Sequence, residues 1–119
     1  MTKLKASTQF INVLVKVTGK PGAYKVTTAP AIPYVTQPDT VINYQLYDTG
    51  GEDILLTGAI YDPEDNDQLS NWTVSPSGKV LTFSDANTKK MSLGVTLTFA
   101  DPNGDEFTHD PQVQNTPEV

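Results

Sequence analysis

The stretch Met91-Ser92-Leu93-Gly94-Val95-Thr96-Leu97-Thr98-Phe99 decides the fold of this chain. Apolar side chains occupy every second position of the stretch, and small or hydroxyl-bearing residues lie between them. Because successive side chains of a β-strand point to opposite faces, this alternation predicts a strand with one buried and one solvated face. Such an apolar face needs a facing sheet, so the stretch predicts a protein of two packed β-layers.

Weaker versions of the same pattern recur along the chain. Strands are predicted at Phe10–Val17, Tyr24–Thr28, Thr40–Tyr47, Ile54–Tyr61, Leu69–Val74 and Lys79–Phe83, besides the opening stretch and a final extended segment from Phe107. The three prolines in 29–39 make that segment an extended connection, or an edge strand at best, since proline cannot donate to a sheet ladder. The segment Ile54–Tyr61 is apolar on both faces, which predicts a strand that is central in its sheet or covered on both sides.

Seven to eight short strands joined by turns are typical of an antiparallel two-sheet sandwich. Nine prolines and eight glycines in 119 residues fit such a fold, and no segment shows the spacing of a long helix. We therefore predict an all-β, immunoglobulin-like sandwich that forms a single domain over residues 1–119, with residues 1–8 as a loose tail. A partly open barrel or a jelly roll is the alternative.

Composition excludes several classes of function. The formal net charge is −6 and all eight basic residues are lysine, so neither a phosphate-binding basic patch nor attraction to an anionic membrane is expected. The absence of cysteine excludes disulfides, thiolate metal sites and a cysteine nucleophile. Asn12 and Lys16 interrupt the first apolar run, which predicts a strand and not a signal peptide, and no segment is long enough to span a membrane. The sequence thus predicts a cytoplasmic protein.

Two acidic loops carry candidate calcium ligands. The candidates are Asp62, Glu64, Asp65 and Asp67 in the first loop, and Asp101, Asn103, Asp105 and Asp110 in and after the second. Calcium takes six to eight oxygen ligands, which closely spaced carboxylates can supply. Neither loop matches the EF-hand pattern, and Asp-Pro and Asn-Gly are common turn formers, so solvated loop charges are the competing interpretation. Calcium is the only cofactor that the sequence suggests.

The remaining candidate residues are one histidine and a set of aromatic side chains. His109 is the only histidine, and no serine lies in a Gly-x-Ser-x-Gly motif, so a strand-end surface role is predicted and no catalytic residue is assigned. Tyr47, Tyr61 and Trp72 are the candidates for an exposed aromatic platform that would bind carbohydrate. Core or cross-strand packing is the more common role of such side chains.

The end of the chain carries a family resemblance. The runs Gly94–Phe99 and Asp101–Gly104, and above all Phe107-Thr108-His109-Asp110-Pro111-Gln112-Val113-Gln114-Asn115-Thr116-Pro117-Glu118, resemble the DP-EP family of small bacterial proteins. Asp-Pro occurs at 62–63, 101–102 and 110–111, whereas Pro117-Glu118 stands where the family name suggests Glu-Pro. The resemblance implies a bacterial, β-rich protein and supplies no catalytic residues.

These observations predict a non-enzymatic β-sandwich that acts as a binding or assembly module. Its partner would be a protein or a carbohydrate, and an unpaired edge strand would allow it to form homo-oligomers. The first alternative is a calcium-stabilised carbohydrate- or surface-binding domain that uses the acidic loops 62–67 and 101–110. A small hydrolase is a more distant alternative.

Overall fold

The computed structural model describes residues 8–118 of the chain. The tail predicted for residues 1–8 therefore lies almost wholly outside the described residues. Ten strands form within them: β1 Phe10–Thr18, β2 Lys25–Ala29, β3 Tyr34–Val35, β4 Thr40–Asp48, β5 Leu55–Asp62, β6 Thr73–Val74, β7 Val80–Asp85, β8 Met91–Ala100, β9 Glu106–His109 and β10 Gln112–Asn115. Residues 8–118 contain no helix that is long and apolar enough to cross a membrane.

The strands form two sheets, which confirms the predicted all-β sandwich. Sheet I has the order β2-β1-β4-β7-β6, and sheet II has the order β3-β10-β8-β5. Strands β9 and β10 follow each other along the same side of β8, with β9 beside its end and β10 beside its beginning. Sheet II is thus organised around β8, the strand that the opening stretch predicts.

Two strand pairs differ from the predicted antiparallel arrangement, because β1 pairs with β4 and β3 pairs with β10 in parallel. The strand count is also higher than seven to eight. The additional strands are short: β3 is a two-residue strand inside the proline-rich connection, and the final extended segment divides into β9 and β10. Alternation of side chains specifies which face is buried, but it carries no information about the direction of the neighbouring strand.

The core lies between the two sheets and uses the predicted faces. From β8, Leu93, Val95, Leu97 and Phe99 are fully buried. Sheet I supplies the facing side chains, which are Val13, Val15 and Val17 of β1, Ile42, Tyr44 and Leu46 of β4, and Leu81 and Phe83 of β7. Each large apolar side chain buried in this way contributes roughly 1.5–3 kcal/mol to folding.

Strand β5 does not occupy the predicted central position. It is the last strand of sheet II, and it hydrogen-bonds as a strand only to β8 within the described residues. Its apolar second face is partly solvated, since Ile60 is 61% exposed. A bulge between Leu56 and Gly58 shifts the register to β8. The second apolar face of β5 is therefore a surface feature, and it leads to the candidate site.

Candidate functional site

A groove of about 380 Å³ runs along the outer side of β5. We call it the Trp72 groove, and its walls are Ala59, Ile60, Tyr61, Glu64, Asn71 and Trp72. Strand β5 supplies the first three of these residues, while the connection from β5 to β6 folds back over the strand and supplies the others. The groove thus combines an aliphatic and an aromatic side chain at the surface with a carboxylate and a carboxamide.

Gly58 allows the Trp72 ring to lie against the outer face of β5. A Cβ atom at position 58 would lie 2.8 Å from both Cζ2 and Cη2 of Trp72, which is closer than real carbon atoms approach. The glycine therefore leaves room for the indole to pack on the strand, as isolated strand glycines often do at close approaches. Trp72 keeps 38% of its surface exposed in this position. The ring is thus fixed on one side and open on the other.

Tyr61, a predicted platform residue, lines the groove and is partly buried. Its ring meets Phe83 edge-on at a centroid distance of 5.4 Å, and its hydroxyl donates a hydrogen bond of 2.7 Å to the Ser70 carbonyl oxygen. Burial raises the pKa of the Tyr61 phenol, so the hydroxyl stays protonated and able to donate. Tyr61 thereby ties the connection that carries Trp72 to the body of the sandwich.

The three predicted aromatic residues do not form one platform. Tyr61 and Trp72 line the same groove, but Tyr47 lies on β4 in sheet I, where it is 56% exposed. Tyr61 lies on β5 in sheet II, so the two tyrosines belong to different sheets. Sequence reasoning missed Gly58, Ile60 and Asn71 as parts of the groove. The usable signal was the glycine inside an apolar strand, which indicates a close approach by another side chain.

His109 lies in a second, more open concavity of about 460 Å³. Its walls combine β2 and the following loop with the junction of β9 and β10: Val26, Thr27, Thr28, Ala31, Ile32, His109, Asp110, Pro111 and Gln112. A histidine, a carboxylate and hydroxyl groups therefore share one depression. Among the described residues, however, no side-chain hydrogen bond links His109 to Asp110 or to either threonine, and Thr28 instead donates to the Ala31 carbonyl oxygen at 3.5 Å. The arrangement does not have the geometry of a nucleophile–base pair.

The environment of His109 predicts a measurable titration. Burial lowers the pKa of the imidazole, and the nearby Asp110 carboxylate only partly offsets this effect. We expect an NMR titration of the single histidine to give a pKa below the ordinary 6.5. As the pH falls through 6.5, the unfolded chain gains a proton before the folded chain does, so this residue lowers stability on acidification. A pKa above 6.5 would contradict the half-buried placement.

The predicted calcium ligands lie in three separate places. Asp62 is opposite Gly94, and Leu55, at the other end of β5, is opposite Ala100. Since Gly94 and Ala100 are roughly 20 Å apart along β8, the loops that begin at Asp62 and Asp101 lie at opposite ends of sheet II. Asp110 follows His109, which is opposite Leu97, and so lies near the middle of β8. The eight candidates cannot form one site, and no group of three His, Asp or Glu side chains within residues 8–118 is arranged to hold a metal ion.

Two of these acidic side chains, Asp101 and Asp67, have partners among the described residues. Asp101 is buried, and its Oδ1 accepts hydrogen bonds of 2.9 Å from the backbone amides of Asn103 and Asp105. Its Oδ2 accepts a bond of 3.0 Å from the Tyr24 hydroxyl, and desolvation together with Asp101 raises the pKa of Tyr24 to about 12. In the first loop, Asp67 forms a 2.9 Å ion pair with Lys89. These contacts organise the two loops. The other six candidates are exposed: Asp62, Glu64, Asp65, Asn103, Asp105 and Asp110.

Fold and site together define a two-sheet β-sandwich with an aromatic groove on an edge strand. Comparison with family models gives a match to the DP-EP family over residues 9–117, so the chain belongs to the DP-EP family. This confirms the resemblance seen at the end of the sequence. A comparison with curated proteins gave no match.

Proposed function

We propose that this chain is a non-enzymatic binding module and that it binds carbohydrate through the Trp72 groove. The observation that carries the proposal is the exposed indole, held against Gly58, with Glu64 and Asn71 in the same groove. Binding sites for small polar ligands typically combine apolar walls with a few placed polar groups. His109 has no catalytic role in this function, since the described residues 8–118 form no nucleophile–base pair around it.

The chemistry of the groove suits a sugar ring. A pyranose presents C–H groups on its faces and hydroxyl groups on its rim. The open side of the Trp72 ring provides a flat apolar surface for such a face, and the fixed ring loses little conformational freedom on binding. The Asn71 carboxamide both donates and accepts hydrogen bonds, and the Glu64 carboxylate accepts them, so both suit the rim hydroxyls. Both side chains are exposed before binding and keep contact with water.

The strand order supports the finer description of the fold as immunoglobulin-like. With β4, β5, β6, β7 and β8 taken as strands B, C, D, E and F, sheet I contains the order B-E-D and sheet II contains C-F-G, where β9 and β10 together form G. Strands β1 and β2 extend sheet I beyond that arrangement. Sandwiches of this type bind ligands through their loops and sheet faces, and the core serves as a rigid scaffold. A bacterial origin and a cytoplasmic location remain predictions from the sequence.

Assembly of identical chains is the second candidate function. Strand β5 is an edge strand, and Ile60 is an exposed branched aliphatic side chain on it. Exposed apolar side chains on a sheet edge favour pairing with another chain. The connection carrying Trp72 and the backbone bond from the Leu56 amide to the Gly78 carbonyl oxygen at 2.8 Å already cover part of this edge. This covering favours the ligand groove over strand pairing.

The proposal is tested with an oligosaccharide array followed by titration calorimetry. Wild-type protein is expected to bind at least one glycan, and Trp72→Ala to weaken that binding at least tenfold, as for an aromatic hot spot of about 2 kcal/mol. Tyr47→Ala removes an exposed aromatic side chain from the other sheet and should leave binding unchanged. A wild-type protein that binds no glycan and sediments as a dimer, which Ile60→Ser converts to a monomer, would favour assembly instead.

Gly58→Ala tests how the ring is held. The added Cβ would overlap the Trp72 ring, and because its far end can swing away, we expect a folded protein with a displaced indole. Since Trp72 is the only tryptophan, its fluorescence should shift to longer wavelength and become more accessible to iodide, with a roughly tenfold loss of glycan affinity. Gly94→Ala is the control, because it adds the same methyl group to the neighbouring strand β8, where the nearest atom is Asp62 Cβ at 3.2 Å and not the Trp72 ring. Unchanged fluorescence of Gly58→Ala would contradict the packing.

A further inference from the structure

A buried polar cluster joins the two sheets at the end of the sandwich where β7 and β10 finish. We call it the oxygen cluster, and its main members are Asp85, Asn87, Asn115 and Gln68. Asp85 at the end of β7 and Asn115 at the end of β10 are both fully buried, while Asn87 and Gln68 are each 4% exposed. Polar side chains at this depth need partners, because an unpaired buried polar group costs about 1–3 kcal/mol.

Hydrogen bonds fix which way each carboxamide points. Gln68 Oε1 accepts a 2.8 Å bond from the Thr88 amide, and Gln68 Nε2 donates a 2.7 Å bond to Thr88 Oγ1. Asn115 Nδ2 then donates to Gln68 Oε1 at 3.2 Å. Because the backbone amide of Thr88 can only donate, the chain of bonds sets the orientation of both side chains. The oxygen of Asn115 must therefore point away from Gln68.

Asn87 is oriented in the same manner. Its Nδ2 donates to the Gln37 carbonyl oxygen at 3.3 Å, and its backbone amide donates to Asp85 Oδ1 at 2.9 Å. These bonds leave three buried acceptors without a partner among the described residues: Asp85 Oδ2, Asn87 Oδ1 and Asn115 Oδ1. All three are oxygens, and one belongs to an acidic side chain.

Within residues 8–118, no ion pair places a positive charge beside the carboxyl group of Asp85. The ion pairs among residues 8–118 join Lys16 to Asp48, Lys79 to Asp53 and Lys89 to Asp67. Burial raises the pKa of the Asp85 carboxyl, and hydrogen bonds from the Asn87 backbone amide and the Asn115 side chain offset this only in part. A buried carboxylate without a counter-charge is strongly unfavourable.

We propose that the oxygen cluster binds a hard metal cation, with Asp85, Asn87 and Asn115 as ligands. A cation contacts all three bare oxygens and neutralises the buried carboxylate. A water molecule alone leaves the charge uncompensated, and a proton on Asp85 alone supplies only one donor. A protonated Asp85 with one bound water is the competing arrangement, and added calcium would not affect it. Carboxylate and carboxamide oxygens are the ligands that calcium and sodium share, and they do not suit soft metals. The cation would join sheet I to sheet II.

Ion-dependent melting of the full chain tests the site. Protein treated with a chelator is dialysed into choline chloride and melted with added calcium chloride, sodium chloride or more choline chloride. Three protein ligands make a weak calcium site, so we expect a Kd on the order of 10⁻⁴–10⁻³ M. At about a hundredfold excess over this Kd, the Tm should rise by about 10 °C. A saturable rise with sodium alone identifies a monovalent ion in the same cluster, and equal melting in all three salts overturns the proposal.

Two variants and one spectroscopic measurement locate the effect. Asp85→Asn keeps the shape and removes the charge, so it should abolish the rise in Tm, whereas Asp105→Asn in the exposed loop should keep it. The reverse result would place the ion in the acidic loop and overturn the proposal. If Asp85→Asn does not fold, the ¹³C carboxyl shift of Asp85 in the wild-type protein decides. A calcium-dependent shift of an ionised carboxylate supports the site, and a protonated carboxyl that ignores calcium refutes it.

Discussion

Val95→Asp is expected to unfold the protein. Val95 is fully buried in the middle of β8, on the face that packs against sheet I. An aspartate there would have to bury a charge without a partner or remain protonated at neutral pH, and it would also lose the packing of the valine. The combined loss is about 5 kcal/mol or more, which is comparable to the whole stability of a small domain. Circular dichroism and thermal melting of the variant should show no cooperative transition.

Thr96→Asp is the matched control for this substitution. Thr96 is the next residue along β8 and pairs with Ile60 of β5, so its side chain points away from the core. The same substitution is therefore made one residue further along the strand, on the opposite face of the sheet. We expect a folded protein that loses about 1 kcal/mol or less. A folded Val95→Asp variant, or an unfolded Thr96→Asp variant, would reverse the assignment of the two faces.

The faces of the long strands could be predicted because they depend on local information. In β1, β4 and β8 the apolar residues recur with a period of two, and each predicted inner residue of β8 from Leu93 to Phe99 is buried. Burial of a face requires only that some apolar layer covers it, so the alternation decides the class of fold without knowledge of the strand order.

Pairing partners could not be predicted, because they depend on contacts between distant residues. The segment Ile54–Tyr61 looks central from its composition, yet β5 is an edge strand whose outer face carries Ile60 and receives Trp72. A side chain that arrives from another part of the chain covers an apolar face just as a neighbouring layer would. The register of β5 on β8 places the two acidic loops at opposite ends of sheet II. This register depends on both strands, so the sequence of neither strand alone predicts it.

The candidate sites could be predicted only in part, because they too depend on contacts between residues that are distant in the sequence. Trp72 and Tyr61 stand out as aromatic residues, but their position in one groove depends on the connection that folds back over Gly58. In the oxygen cluster, Gln68 and Asn115 are hydrogen-bonded although they are 47 residues apart. Neither residue belongs to a motif. A buried amide is recognised as a candidate ligand only when the structure shows its neighbours and shows that its oxygen has no hydrogen-bond partner.

Phe99→Ala is expected to have the second-largest effect. Phe99 is fully buried at the end of β8, and its ring stacks on Phe107 at a centroid distance of 5.0 Å. Phe107 in turn stacks on Tyr24 at 4.5 Å, so three rings fill this end of the sandwich. Truncation leaves a cavity and removes one stacking partner, for a loss of about 3–5 kcal/mol. Urea unfolding should show a lower midpoint with an unchanged slope.

The control for the ring stack is Phe10→Ala, which deletes the same side chain from the beginning of β1. Phe10 is 62% exposed, so its removal creates no cavity and should change stability by about 0.5 kcal/mol or less. The contrast separates the loss of buried packing from any general effect of replacing phenylalanine in a strand.

The ring stack is also connected to the second acidic loop, because the Tyr24 hydroxyl donates a hydrogen bond to Asp101. Loosening the stack at Phe99 should therefore weaken the ordering of that loop. Faster amide exchange at Asn103 and Asp105 in Phe99→Ala, but not in Phe10→Ala, would demonstrate that connection, whereas equal stability of the two variants would contradict the buried position of Phe99.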